Sequence, residues 1–316
     1  MDKVIILILF ISFTVFAVKV TAAARTGPAD TPITRTTPYD FDGDGKTDFS
    51  IFRGSEGIWW NRHSSDDQVY AMRFGQFQDK PVAADFTGDG KSDIAVFRND
   101  PAHLGVWYIL HSEDNSFSVF TLGAGVDLPA PADYDGDGRA DIAVFRPTNG
   151  IWFVRASASG KTFARPFGMV NDKPVPADYD GDGTADLAVY RPVTGEWWIQ
   201  RSSDGEVRVI RFGLPNDNVV PGDFTGDGKA DIAVFRRTTA EWFILRSEDG
   251  SNYSFRFGTN NTVAVPGDYD GDGKLDAAVW LGPSGEWFVH RSVDDGITYL
   301  TFGINGDTAG PNALVW

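Results

Sequence analysis

Residues 174–213 read PVPADYDGDGTADLAVYRPVTGEWWIQRSSDGEVRVIRFG, and this stretch decides the fold. It opens with a short extended piece, Pro174 to Ala177. A nine-residue loop of aspartate and glycine follows, Asp178 to Asp186. Leu187 to Arg191 is β-branched and aromatic, which marks a strand. Pro192 to Gly195 is turn chemistry. From Glu196 to Arg201 the side chains alternate, with Trp197, Ile199 and Arg201 on one face and Trp198 and Gln200 on the other, as in a second strand. Ser203-Asp204-Gly205 reads as a hairpin turn. Val207 to Phe212 alternates again, and Gly213 ends the unit.

The same unit recurs across the chain. Its loop begins at Asp40, Asp85, Asp133, Asp178, Asp223 and Asp268, at spacings of 45, 48, 45, 45 and 45 residues. Each copy then carries a tryptophan (Trp59, Trp107, Trp152, Trp197, Trp242, Trp287), a serine (Ser64, Ser112, Ser157, Ser202, Ser247, Ser292) and a Phe-Gly or Leu-Gly ending at Gly75, Gly123, Gly168, Gly213, Gly258 and Gly303. The three extra residues of copy two fall between Arg98 and Trp107, in an expected loop. Four short strands per repeat, none with a helical period, predict an all-β chain: a six-bladed β-propeller of four-stranded blades. After Gly303, Asp307 to Ala313 matches the start of a further copy, which is expected either to close the ring or to begin a seventh blade. The repeated Trp and the aromatic after it are expected to form the core between blades.

The 316 residues carry a formal charge of −16 and no cysteine. Thiolate metal sites, disulfides and thiol nucleophiles are therefore excluded. Nucleic acid is not an expected partner, because its binding needs a cationic surface. The first 24 residues stand apart. Val4 to Val18 is an apolar run bounded by Lys3 and Lys19, and Ala22 and Ala24 precede a cleavable bond before Arg25. This predicts a signal peptide over 1–24, a linker over 25–33 and the propeller over 34–316, with secretion and no membrane insertion after cleavage.

The acidity is concentrated in the loops, which hold 22 of the 44 acidic residues. Position 1 of each loop is Asp40, Asp85, Asp133, Asp178, Asp223 or Asp268. Position 3 is Asp42, Thr87, Asp135, Asp180, Thr225 or Asp270, and position 5 is Asp44, Asp89, Asp137, Asp182, Asp227 or Asp272. Position 7, which can offer its backbone carbonyl, is Lys46, Lys91, Arg139, Thr184, Lys229 or Lys274. Position 9 is Asp48, Asp93, Asp141, Asp186, Asp231 or Asp276. Hard oxygen donors gathered by a tight loop suit calcium, which takes six to eight of them, so about six Ca²⁺ sites are expected. An EF-hand is excluded, because its twelfth position needs a Glu and here holds Ile51 or a valine in a strand pattern.

These loops, with the Asp-Ile-Ala-Val-Phe-Arg strand behind them and Phe-Gly ahead, resemble the FG-GAP/VCBS repeat family over about residues 34–313. The resemblance implies a propeller of the integrin α-subunit type, with its calcium loops between first and second strands on one face. The copies are nearly uniform and no nucleophile or triad spacing is seen. A non-catalytic secreted binding or adhesion module for extracellular glycans or protein surfaces is therefore expected. The alternative is the propeller domain of a polysaccharide lyase or hydrolase. On the face opposite the loops, Arg53, Arg98, Arg146, Arg191 and Arg236 lie near Trp59, Trp107, Trp152, Trp197 and Trp242. An arginine beside an indole suits a sugar, so a glycan site is expected there, inactive in copy six, where Leu281 replaces the arginine.

Overall fold

A computed structural model of the chain describes residues 37–100, 102 and 104–311. The expected signal peptide and linker, and His103, lie outside the described residues. Among those described there is no helix, and no helix long and apolar enough to cross a membrane.

The strands form six four-stranded antiparallel sheets, one per repeat, arranged as the blades of a six-bladed β-propeller. In blade four the strands run Lys173–Pro174, Leu187–Arg191, Glu196–Gln200 and Val207–Arg211, in that order across the sheet. The first strand is short because Pro174 and Pro176 have no N–H to give to a ladder. The Val175 N–H still reaches the Ala188 carbonyl at 2.8 Å, and a last bridge joins Ala177 to Asp186.

Blade one takes its first strand from the other end of the chain. Thr308–Gly310 pairs antiparallel with Phe49–Arg53, placing Ala309 opposite Ile51. The segment after Gly303 therefore closes the ring and does not start a seventh blade.

Each blade buries one face against the next. Six apolar clusters fill the six interfaces. Tyr190 and Trp197 of blade four meet Val219 and Val234 of blade five, and the last interface joins Trp280 and Trp287 to Ile51 and Ala309. The six repeated tryptophans are all within 1% of full burial, so each contributes about 1.5–3 kcal/mol by leaving water. Five of them donate their indole N–H to a carbonyl fifteen residues on, such as Trp197 to Phe212 at 2.8 Å. The exception is Trp107, whose buried N–H has no partner. Its blade carries the three extra residues. They lengthen three strands, to Ile94–Asn99, Leu104–Leu110 and Phe117–Ala124, with a bulge between Leu104 and Val106. The insertion is thus strand and bulge as well as loop, and the shifted register leaves the indole without its carbonyl.

Candidate metal centres

Each acidic loop joins the first strand of its blade to the second. In loop one, Gly43 and Gly45 adopt φ of 82° and 87°, left-handed angles that a Cβ would obstruct. This turn directs the N–H groups of both glycines to the Asp40 carboxylate, at 2.6 and 2.8 Å. The same two bonds form at position 1 in the other five loops. At position 9 one carboxylate oxygen accepts the N–H of position 2, as Tyr179 gives to Asp186 at 3.0 Å. The other accepts the N–H of the repeated serine, as Ser202 gives to Asp186 at 2.7 Å.

The result is convergence of carboxylates. In four loops the acids of positions 1, 3 and 9 bring an oxygen each within 4.8 Å of one another: Asp40, Asp42 and Asp48; Asp133, Asp135 and Asp141; Asp178, Asp180 and Asp186; Asp268, Asp270 and Asp276. Burial pushes the position 9 carboxyls up, to about 7 at Asp48 and to about 6 at Asp186 and Asp276, against the lowering by backbone N–H bonds. Asp40, Asp133 and Asp268 at position 1 move the same way, again chiefly through burial. Three acids packed this closely could hold a metal ion. Loops two and five carry two of these carboxylates, with Thr87 and Thr225 at position 3. The Thr87 hydroxyl is buried without a hydrogen-bond partner, and the backbone N–H of the same residue donates to Asp93 at 3.1 Å.

Position 5 does not join these clusters. One of its oxygens accepts the position 7 N–H of its own loop, as Thr184 gives to Asp182 at 2.8 Å. In five copies the carboxylate also accepts the hydroxyl of the repeated serine, as Ser202 gives to Asp182 at 2.8 Å. The serine, visible in the sequence as a marker without a role, is what ties the hairpin between third and fourth strands to the loop. Position 3 adds to this tie, since Ser203 donates its hydroxyl to Asp180 at 2.5 Å.

The loops are also joined to each other. The position 8 N–H of every loop donates to the position 1 carbonyl of the preceding one: Ser92 to Asp40, Ala140 to Asp85, Ala185 to Asp133, Ala230 to Asp178, Leu275 to Asp223, and Thr47 back to Asp268, at 2.6–2.8 Å. The position 7 side chain lies over the position 4 glycine of that same neighbour. A Cβ on Gly43 would stand 2.9 Å from Lys91, and one on Gly88 would stand 2.8 Å from Arg139. Six loops thus form one closed belt, which accounts for the glycine at position 4 in every copy.

The opposite face corrects an expectation. Arg98, Arg146, Arg191 and Arg236 each form a two-pronged ion pair, with Asp79, Asp127, Asp172 and Asp217, and Arg53 pairs with Asp307 across the ring closure. Their guanidiniums also stack on the aromatic after the tryptophan, such as Arg98 on Tyr108 with 4.3 Å to the ring centre. The tryptophans themselves have no exposed face. Indoles without a free face cannot stack on a sugar, and the arginines are already engaged in the fold. The second oxygen of each aspartate caps the turn before it, as Leu214 N–H to Asp217 at 2.9 Å. In copy six Thr262 does this capping with its hydroxyl, and Leu281 replaces the arginine. The paired change was visible in the sequence, because Thr262 holds the period position of the aspartates.

A family model described as an FG-GAP-like repeat matches residues 85–144, 133–189, 178–234 and 223–279, well over half of the chain. No curated protein matches significantly. Among solved structures, the nidogen/laminin complex aligns with a TM-score of 0.53 at 10% identity, over 81% of this chain and 93% of that one. BBS1N in complex with ARL6DN aligns at 0.51 and 13% identity, over 84% and 81%. A catalytically inactive virginiamycin B lyase from Staphylococcus aureus with quinupristin aligns at 0.50 and 10% identity, over 81% and 85%. At such identities the likeness is one of fold, and the fold is shared by a lyase and by proteins crystallised with protein partners.

Proposed function

The chain belongs to the family of FG-GAP-like repeats, and on that footing we propose that it is an exported, calcium-held β-propeller. Its role is that of a binding or adhesion module for extracellular glycans or protein surfaces. The observation that carries this reading is the repeated convergence of three carboxylates in a loop strapped to the neighbouring hairpin. Positions 1, 3 and 9 would hold the ion, with the position 7 carbonyl available as a further oxygen donor. Calcium bound there supplies the charge that lets the buried acids stay ionised. The chain's own residues do the rest: the glycines set the loop, the serine hydroxyl orients position 5, and the belt of inter-loop bonds carries order from one blade to the next.

Export is supported by the apolar run Val4 to Val18 followed by Ala22 and Ala24. A loop whose position 1 carboxylate accepts the same two glycine N–H bonds in all six copies favours a scaffold presenting a surface over one specialised reacting centre. The test is a glycan array probed with the purified protein in calcium and in chelator. Retention on a subset of glycans in calcium, lost in chelator, supports the reading. Absence of retention on every glycan by protein that melts normally in calcium contradicts the glycan part of it.

A further inference from the structure

The six inter-blade clefts on the loop side are not equivalent. Between blades two and three lies an open cleft of about 420 Å³, within the range of small-molecule sites. Its apolar walls come from Phe86, Ile109, Phe120 and Ile142. Two arginines enter it from blade three. Arg139 reaches back from loop three over Gly88. Arg155 stacks on Phe120 with 5.1 Å to the ring centre and gives one N–H to the Gly160 carbonyl at 2.7 Å.

Neither guanidinium forms an ion pair among the described residues, although the chain carries a large excess of acid. The one acidic residue that lines the cleft is Glu113, so its walls keep a positive excess. No other interface combines two such groups. The residues corresponding to Arg139 and Arg155 are Lys91 and Leu110, Thr184 and Gln200, Lys229 and Leu245, Lys274 and His290, and Lys46 and Arg62. Of these Arg62 is already paired with Asp67 at 2.6 Å.

We propose that this cleft is a subsite for an acidic sugar residue, whose carboxylate or sulfate is held by Arg139 and Arg155. Planar forks of N–H donors match both oxyanions. The apolar face of the ring lies against Phe86 and Phe120. The inference rests on the glycan-binding reading above and narrows it to one cleft and one charge class.

Calorimetric titration of the full chain, with calcium fixed in both solutions, tests it. The probes are a galacturonate trisaccharide, its methyl-esterified neutral form and a sulfated galactose trisaccharide. Binding of either acid form with one site per chain, at least about tenfold tighter than the ester, is the expected result. The two acid arms separate carboxylate from sulfate recognition. Arg155→Leu and Arg139→Thr introduce residues that other copies carry at these positions, so both should fold, with melting unchanged. Each should weaken acid binding by about tenfold or more. Equal binding of acid and ester, unaffected by the substitutions, overturns the subsite and leaves the glycan-binding reading standing. Binding of none of the three overturns the subsite, and an empty glycan array would remove the wider reading as well.

Discussion

At the scale of single residues, the arginine–aspartate pair is the most instructive feature. The Asp307 side chain is 1% exposed and that of Arg53 17% exposed. Their bond joins the start of the ring to its end. The aspartate hydrogen bond raises the arginine further above its ordinary value, so Arg53 stays charged over the whole accessible pH range. Removing one partner strands the other, which for a buried pair costs about 3 kcal/mol. Arg53→Leu and Asp307→Thr should each destabilise by roughly that amount in denaturant unfolding. The double variant reproduces the Leu281 and Thr262 of copy six, where the hydroxyl caps the turn and no charge is left over. It should recover much of the loss. A double variant as unstable as the sum of the singles would show that the two residues act independently.

At the scale of elements, the unit is the acidic loop with its strapped hairpin. Loops two and five differ from the rest through Thr87 and Thr225, which remove one carboxylate each from the donor set. Thr87→Asp restores it. Calcium affinity at loop two should then tighten, on the order of tenfold, since charge count tunes such sites. An unchanged binding isotherm would mean that the third carboxylate contributes nothing there. Much of this element was readable beforehand. The spacing of aspartates and glycines located the loops, and alternation located the longer strands, because both signals are local in sequence. The belt of inter-loop bonds was not readable, because it joins residues more than a whole repeat apart, such as Ser92 and Asp40, and leaves no pattern beyond a glycine already required by its φ. The arginines were read as a ligand face for a related reason. Their partners, such as Asp172 for Arg191, lie in the connection from the preceding blade, and a carboxylate there is ordinary until the register is known. The burial of Trp197 and its equivalents follows from blade stacking and was expected as core. That burial in turn removes them as a sugar platform.

At the scale of the whole molecule, the ring is held by three independent closures: the strand Thr308–Gly310, the Arg53–Asp307 pair, and the belt bond from Thr47 to Asp268. The clustered acids work against these closures unless a cation is present. Asp48, Asp186 and Asp276 have carboxyls raised above the ordinary 3.8, so the metal-free native state holds protons that the unfolded chain has already released. Their contribution to stability is therefore full below about pH 4 and is lost as pH rises through about 6 to 7. In chelator the melting temperature should fall across that window, and in calcium the fall should vanish, because the ion takes the place of the protons. A chelator profile that rises with pH over the same window would contradict this assignment. Calcium in hundredfold excess over its dissociation constant adds about 2.7 kcal/mol per site, so even partial occupancy should move the melting point visibly. The central claim, that the acidic loops are calcium sites, is tested most directly by calorimetric titration of the chelator-treated protein with calcium. The account predicts a tighter class of four sites, matching the four three-carboxylate clusters, and a weaker class in the two threonine loops. No heat of binding up to millimolar calcium, with the protein folded throughout, would contradict it.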